Sequence, residues 1–324
     1  MVTPSTDSVL IGEAHKLPVG EPTASISVSP VMLPTPDRTV DLQMRISAPA
    51  VGRDLPIILY SHGGGTTNYL SSMRGASPLV DFWAAHGFVV IQPTHLTSNE
   101  LGLGPSTPGF PLFWRSRVED LTQILDRLGE IEDAVPQIAG RLDSGRVAAA
   151  GHSFGGQTAS MLLGADFTDD DGAEINLRDS RIKAGVLLAT TGAGGEHLTA
   201  AAAQFACLRT AGFAAMATPT LVIVGDEDTT AELSSRGAEY HADPYLLSPG
   251  PKSLLSLPGG EHMLGGVTGY DAADTTDENP ERVAVIQRTS WAYLRSALYP
   301  EDRVWSAVCE ALKELAALGS VESK

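Results

Sequence analysis

The sequence is poor in several residue types whose abundance marks other classes of protein. Of 324 residues, two are cysteines, 6% are aromatic, and only five of the 22 basic residues are lysines. Cys207 and Cys309 lie far apart without metal-binding spacing, which argues against a disulfide framework or a structural zinc site and predicts buried free thiols. The first 30 residues hold no long apolar run. We therefore predict neither a signal peptide nor a transmembrane helix, and expect a cytoplasmic protein.

Basic residues are also outnumbered by acidic ones. The 22 basic and 39 acidic residues give a formal net charge of -17. Such a charge repels phosphate backbones and anionic membrane surfaces, so no nucleic-acid partner and no membrane insertion are expected. An apolar fraction of 43% suffices for a large core. We expect a single domain over residues 25–324, preceded by a loosely ordered tail over residues 1–24; composition leaves the oligomeric state open.

Six apolar runs indicate β-strands separated by helical segments. They do not alternate in polarity, as is typical of parallel strands covered by helices on both faces. Two earlier segments, residues 25–29 and 40–46, do alternate and predict an antiparallel pair at the sheet edge. The prediction is an α/β fold with a mostly parallel sheet of eight strands. The six runs are residues 56–60, 88–92, 146–150, 184–189, 221–224 and 253–257.

Helices are predicted from apolar spacing and composition. Apolar residues three and four apart predict an amphipathic helix over residues 114–131, and Ser116 and Glu119 have capping-box spacing at its start. The alanine-rich residues 198–217 predict another helix. Residues 283–298 and 304–318 predict two closing helices. The acidic residues 166–179 fail to match the ligand positions of an EF-hand and predict a solvated loop.

A serine stands where one strand passes into a helix. Residues 151–156 read Gly-His-Ser-Phe-Gly-Gly, directly after the strand run 146–150 and before a helical stretch. This is G-x-S-x-G in strand, turn, helix context. Glycines suit such a strained turn because larger side chains would collide with the neighbouring strand and helix. We predict Ser153 to be a nucleophile; the alternative is a glycine-rich turn without a chemical role.

A serine hydroxyl becomes an effective nucleophile only when a base removes its proton. His262 directly follows the last strand run, which places it at the carboxyl edge of the sheet, where Ser153 also emerges. His241 is the main rival, but it falls between two strands and is expected at the surface. His95 is a candidate to line the pocket. Three further histidines are expected to be solvated or to pack: His15, His86 and His197.

Acyl transfer also requires donors for the oxyanion, usually two backbone N–H groups. Phe154, the residue after the nucleophile, supplies one. The loop after the strand run 56–60 supplies the other, and we choose Gly64 there, with Gly63 and Gly65 as alternates. A phosphate-binding loop is the competing interpretation, but the sequence lacks the Gly-Lys-Ser/Thr of a P-loop.

A carboxylate should orient the histidine, and Asp226, Glu227 and Asp228 all follow the strand run 221–224. With this acidic cluster, the sequence resembles the α/β-hydrolase superfamily. The motifs that carry the likeness are SHGGG, GHSFGG, GDED and GGEH, together with Arg117 and Asp120 on the amphipathic helix. Within the superfamily, the chain is similar to bacterial chlorophyllase-like and platelet-activating-factor acetylhydrolase-like esterases and the related dienelactone-hydrolase-like proteins.

The resemblance covers residues 40–298 and implies the α/β-hydrolase fold and a metal-free serine hydrolase of carboxylic esters that needs no cofactor. It places the acid three residues after Gly225, at Asp228, with Asp226 as the alternative. The order Ser153, Asp228, His262 is that of the superfamily's triad. Serine at position 153 departs from the cysteine nucleophile of dienelactone hydrolases, which argues against that activity.

The same resemblance bears on the substrate. A lid in this fold is usually inserted after the sixth strand, but about thirty residues separate runs 184–189 and 221–224, so no large cap is expected. The loop over residues 94–114 carries Phe110, Phe113 and Trp114, which either wall a pocket for a small or medium lipophilic ester or simply pack on the core. Two other functions stay open: carbon-carbon bond hydrolysis or acyl transfer on the same fold, and ligand binding without catalysis.

Overall fold

The computed structural model describes residues 7–65, 67–269 and 274–324. Its strands are β1 Ser25–Leu33, β2 Leu42–Pro49, β3 Leu55–Ser61, β4 Val89–Pro93, β5 Leu142–His152, β6 Asp166–Thr168, β7 Glu174–Asn176, β8 Ile182–Leu188, β9 Thr220–Gly225, β10 Lys252–Leu257 and β11 Ser320–Ser323. Its α-helices are α1 Asp7–Leu10, α2 Ser77–Ala85, α3 Trp114–Asp126, α4 Leu128–Ala134, α5 Phe154–Leu163, α6 Ala206–Arg209, α7 Ala238–His241, α8 Asp243–Leu246, α9 Pro280–Leu298 and α10 Val304–Glu314.

The main sheet of the described residues has nine strands, in the order β1-β2-β4-β3-β5-β8-β9-β10-β11. The six central strands, β4 to β10 in that order, run parallel and correspond to the six apolar runs. The antiparallel pair β1 and β2 closes one edge, as predicted. The prediction of eight strands is wrong by one, because the short segment β11 pairs antiparallel with β10 at the other edge. Ser320–Ser323 is mostly polar and exposed, so it forms neither an apolar run nor a buried alternating face that would predict a strand.

Each central strand is buried on both faces. In β3, Ile57 and Leu59 join the core packed against α3, α4 and α5, whereas Ile58 and Tyr60 join the core packed against α2, α9 and α10. Because successive side chains of a strand point to opposite faces, every position of β3 is apolar or small and fully covered. This explains why the six runs do not alternate in polarity.

Two helix predictions need correction. The predicted helix over residues 114–131 breaks at Arg127 into α3 and α4, and it begins at Trp114 without side-chain capping, so Ser116 and Glu119 do not form its cap. The alanine-rich residues 198–217 form only a 3-10 turn and the four-residue α6. Their backbone is instead used in bridges from Leu198 to Ser234 and from Gly212 to Asp166. Alanine side chains bury too little apolar area to hold a helix against such competition.

Two other segments differ from the predictions. The acidic residues 166–179, predicted as a loop, contain the hairpin of β6 and β7. Ahead of β1, Ala14 and Leu17 are buried in the core beside α9, so this part of the predicted loose tail is packed; residues 1–6 lie outside the described residues.

The cysteines are free thiols; Cys207 is buried and Cys309 is partly buried. Among the described helices, none has the length and apolar character needed to cross a bilayer.

Candidate active site

Ser153 lies on a sharp turn between β5 and α5. Its backbone has φ 54° and ψ -122°, a conformation that non-glycine residues rarely adopt. A Cβ on Gly151 would come within 2.2 Å of the Gly155 backbone, and one on Gly155 within 1.9 Å of the Ser61 carbonyl oxygen. Both positions therefore require glycine, as expected from the motif, and the tight packing holds the serine in its strained conformation.

The structure brings together the three residues chosen as the triad. The Ser153 Oγ and His262 Nε2 atoms lie 3.0 Å apart. On the other side of the ring, His262 Nδ1 lies 2.9 Å from Asp228 Oδ2. Each residue follows a parallel strand, β5, β9 or β10, so all three meet at the carboxyl edge of the sheet. The chain thus holds a hydroxyl, an imidazole and a carboxylate in hydrogen-bonding order.

Of the three carboxylates after β9, only Asp228 is turned toward His262. Asp226 is exposed, and its Oδ1 accepts the Gly259 N–H at 2.7 Å; Glu227 is exposed as well. Asp228 is fully buried. Burial alone would raise the pKa of Asp228, but hydrogen bonds from His241 and His262 hold it well below its ordinary value. Asp228 is therefore ionised at neutral pH.

His241 is not the surface residue that its position between two strands predicted. It is 1% exposed, and its Nε2 lies 3.2 Å from Asp228 Oδ1. Its Nδ1 donates to the Thr190 carbonyl at 2.6 Å. The path of the long connection from β9 to β10 brings α7 over the end of β9. No local pattern encodes that path, so the sequence offered no signal for this contact.

Thr230 is a second site residue that the sequence analysis missed. Its hydroxyl donates to Asp228 Oδ1 at 2.6 Å, and its backbone N–H lies 3.2 Å from the same oxygen. A threonine two residues after an aspartate is a common local turn pattern, so this contact could have been found in the sequence. The turn holds the Asp228 carboxylate in one orientation.

The glycine loop after β3 lies directly against Ser153. A Cβ on Gly63 would lie 3.2 Å from the Ser153 Cβ, and one on Gly64 would lie 3.7 Å from the Phe154 ring. The Gly65 carbonyl accepts from the Asn99 side chain at 2.7 Å. Thr66, the next residue, lies outside the described residues. The choice of Gly64 and Phe154 as oxyanion donors stays a prediction.

A buried polar network lies beneath this loop. His95, a candidate to line the pocket, is instead fully buried: its Nε2 lies 2.9 Å from Ser61 Oγ, and its Nδ1 lies 2.8 Å from Asp120 Oδ2. Burial, with help from Arg117, lowers the pKa of His95 well below its ordinary value, so the ring is neutral. Nδ1–H therefore donates to Asp120, which also pairs with Arg38 at 2.8 Å. The network anchors the first residue of the SHGGG motif.

Arg117 connects this network to α5, the helix that follows Ser153. Its guanidinium is buried, and burial lowers the pKa of Arg117 to about 9, which still leaves it charged at neutral pH. The groups that accept its hydrogen bonds are the hydroxyls of Ser61, Thr97 and Thr158 and the carbonyl of His62. One side chain thus holds the glycine loop against α5.

We expect Arg117→Met to lower the free energy of unfolding by about 3 kcal/mol, because it leaves several buried acceptors without a donor. Arg115→Met on the same helix is the matched control, since the Arg115 side chain is 51% exposed. The control should stay within about 0.5 kcal/mol of wild type. Urea unfolding measures both, and equal losses in the two variants would contradict this role for Arg117.

The His262 loop is clamped on two sides. His152 is buried, which lowers its pKa to about 3, and its neutral ring donates from Nε2 to the His262 carbonyl at 2.7 Å. Asp277 Oδ2 accepts the N–H groups of Glu261 and Gly265, each at 2.9 Å, and pairs with Arg282 at 2.8 Å. The backbone on both sides of His262 is therefore fixed relative to Ser153.

The donor atoms of Asp228, His241 and His262 lie within 4.8 Å of one another, so these residues have the chemistry of a metal site. Hydrogen bonds already account for their geometry. The Asp228 carboxylate accepts hydrogen bonds from Thr230 and His262. His241 Nδ1 donates to the Thr190 carbonyl. Hydrogen bonds therefore account for the placement of these three side chains without a metal ion.

The aromatic loop over residues 94–114 both packs and lines a cavity. Phe113 is 3% exposed, and Trp114 meets Phe167 edge to face at 4.8 Å between ring centroids. Phe110 and Trp114 line a surface cavity of about 210 Å³ with Phe205. A larger cavity, about 540 Å³, lies between α3 and residues 176–180, and its lining includes neither Ser153, Asp228 and His262 nor the glycine loop.

The comparison with protein families agrees with this architecture. The model of the alpha/beta hydrolase family matches residues 58–322, about four fifths of the chain, and this span includes Ser153, Asp228 and His262. No curated protein matches the chain. The connection between β8 and β9 holds only the 3-10 turn and α6 in place of a large cap. The chain belongs to the alpha/beta hydrolase family.

Proposed function

We propose that this protein is a serine hydrolase that cleaves carboxylic esters through an acyl-enzyme on Ser153. The observation that carries the proposal is the hydrogen-bonded line from Ser153 Oγ through His262 to Asp228, with distances of 3.0 and 2.9 Å. The serine stands on a strained turn, and the carboxylate is buried and ionised. Such an arrangement suits a nucleophile, its base and the group that orients the base.

In the first step, Ser153 Oγ attacks the ester carbonyl carbon while its proton passes to His262 Nε2. Asp228 holds the His262 Nδ1–H and stabilises the imidazolium that forms. The tetrahedral intermediate then collapses, the bond to the alcohol oxygen breaks, and His262 gives its proton to the leaving alcohol. Ser153 is left as an ester of the acid part.

Water completes the cycle. His262 takes a proton from the attacking water, and a second tetrahedral intermediate forms at the same carbon. Its collapse releases the acid and returns the proton to Ser153 Oγ. Because the alcohol leaves before water attacks, we expect ping-pong kinetics with a burst of alcohol whenever the second step is slower.

The negative oxygen of each intermediate needs fixed donors. Backbone N–H groups of Phe154 and Gly64 are the proposed pair, because the glycine loop lies against Ser153 and is held from below by Arg117 and His95. A donor fixed before the reaction stabilises the intermediate without reorganisation. In this proposal, the buried network fixes the position of the loop that carries the Gly64 donor.

The substrate we propose is a small or medium lipophilic ester. Phe154, the residue after Ser153, is partly buried against the same core as Trp114 and Phe205, two of the residues that line the surface cavity of about 210 Å³. The aromatic side of this cavity suits a lipophilic group, and its other side is polar, formed by Asp169, Asp170 and Gln204. The motif likeness to chlorophyllase-like and platelet-activating-factor acetylhydrolase-like esterases supports the same class of substrate.

Covalent labelling tests the proposal. We expect an alkyl fluorophosphonate to add once to the folded protein, on Ser153, and to abolish hydrolysis of p-nitrophenyl butyrate in proportion to the labelled fraction. Intact mass and peptide mapping measure the adduct, and a spectrophotometer follows p-nitrophenol release. A chelator should leave the rate unchanged, since no step uses a metal.

The control is His262→Ala, which keeps the serine but removes its base and should label far more slowly. Ester turnover that persists without any adduct would contradict the serine mechanism. A protein that neither labels nor hydrolyses, yet binds a lipophilic ligand, would favour the non-catalytic alternative. Weak ester turnover beside a fast carbon-carbon cleavage would favour the other chemistry of this fold.

A further inference from the structure

One buried carboxylate, Asp228, lies between two histidines. His262 approaches Oδ2 at 2.9 Å, and His241 approaches Oδ1 at 3.2 Å. The two rings are 5.6 Å apart between centroids. A triad needs only the first of these histidines, so the second requires a separate account.

The proton on His241 Nδ1 is settled by its partner. Nδ1 lies 2.6 Å from the Thr190 carbonyl oxygen, which can only accept a hydrogen bond. His241 Nδ1 therefore carries a proton. A neutral ring would then have a lone pair on Nε2.

The surroundings of His241 Nε2 do not suit a lone pair. Nε2 lies 3.0 Å from Thr230 Oγ1 and 3.2 Å from Asp228 Oδ1. The Thr230 hydroxyl has one proton, and its closest acceptor is Asp228 Oδ1 at 2.6 Å. With that proton given to Asp228, both oxygens present lone pairs to Nε2. A second proton on His241 satisfies all three atoms.

We infer that His241 is an imidazolium that shares Asp228 with His262, and that it acts as a positioning residue which limits how strongly Asp228 attracts a proton onto His262. The inference rests on the proposed function and deepens it. His241 does not touch the reacting atoms. It holds Oδ1 so that Oδ2 faces His262, and its positive charge offsets part of the charge on Asp228.

The other titratable groups around His241 are consistent with this assignment. Asp228 and His262 come from the loops after β9 and β10, and the buried, neutral His152 comes from the end of β5. On its own segment, Tyr240 is buried, and Asp243 is already paired with Arg236 at 2.6 Å. Among the described residues, Asp228 is the one carboxylate within hydrogen-bonding distance of His241.

The consequence appears in the pH dependence. A positive His241 disfavours a second positive charge on His262, so His262 stays free to act as a base at lower pH. Removing the charge of His241 leaves Asp228 uncompensated, and the resting enzyme then holds a proton on His262 up to higher pH. The acidic limb of kcat/KM should move upward.

His241→Gln tests this, because glutamine keeps an N–H donor but has no charge. We expect the pH of half-maximal kcat/KM for p-nitrophenyl butyrate to rise by about one unit. His86→Gln is the matched control: His86 stacks on Phe82 away from the site, and its replacement should leave the profile in place. A lower plateau with an unmoved midpoint would show a merely structural role and overturn the inference.

A second measurement does not depend on activity or on the variant folding. In wild-type protein with ¹⁵N-labelled histidine, NMR at neutral pH should show two ring N–H protons on His241. A single ring proton would overturn the inference whatever the kinetics. If the wild-type protein showed no ester turnover, the proposed function alone would be overturned. The NMR measurement would still decide how many protons the His241 ring carries.

Discussion

Replacing Ser153 with alanine should lower kcat for p-nitrophenyl butyrate by at least about 10⁴-fold, because no other group then forms the acyl-enzyme. The Oγ atom is the only part removed, and the Ser153 N–H still donates to the Leu188 carbonyl at 2.9 Å. We therefore expect thermal unfolding close to that of wild type. Initial rates and circular dichroism melting curves measure the two effects.

The matched control is Ser160→Ala, in the same helix that begins after the nucleophile. Ser160 is also buried, but its hydroxyl only donates to the Gln157 carbonyl at 2.8 Å. Turnover by this variant should remain near wild type. If Ser153→Ala kept more than a small fraction of wild-type activity, another residue would have to be the nucleophile.

Asp228→Asn should reduce kcat by about 10⁴-fold, because an amide in place of the carboxylate presents a donor to His262 and favours the wrong tautomer. The volume of the side chain is unchanged, so the loss reports on hydrogen bonding and charge. Asp228 also accepts from Thr230 and faces His241, and the variant should therefore be less stable than wild type as well. Steady-state kinetics and urea unfolding separate the two losses.

Asp226→Asn is the control for position, since Asp226 is two residues away, exposed, and keeps an oxygen that can accept from Gly259. Its activity should be close to that of wild type. The reverse result, a large loss for Asp226→Asn and a small one for Asp228→Asn, would transfer the role of the acid to Asp226.

The main sheet was largely predictable because its signal is local. Each central strand is buried on both faces, so each appears as a short apolar run, and the ends of all six runs lie within four residues of the strand ends. The ends of helices were harder to predict from the sequence. The break between α3 and α4 occurs at Arg127, where the backbone leaves the helical conformation at φ -122° without a proline or glycine to mark it.

Ser153 could be chosen as the candidate nucleophile for a related reason. The turn at Ser153 tolerates only glycine at positions 151 and 155, where a Cβ would collide with backbone. The two glycines in the sequence therefore indicate this turn. His262 could be chosen because it lies in the loop that follows β10, the last of the parallel strands. The choice among Asp226, Glu227 and Asp228 needed either a family resemblance or the structure, because three adjacent carboxylates look alike in sequence.

Sequence patterns were enough to predict the α/β class, the parallel centre of the sheet and the strands that precede Ser153, Asp228 and His262, because burial and turn geometry leave short-range signals. Which side chains surround these three residues depends instead on the packing of the folded chain. His241, His95 and Arg117 reach the site across long separations in the chain, and a buried polar contact of that kind depends on how distant segments pack. The burial of His241 against Asp228 is therefore a property of the folded chain, and no pattern near position 241 predicts it.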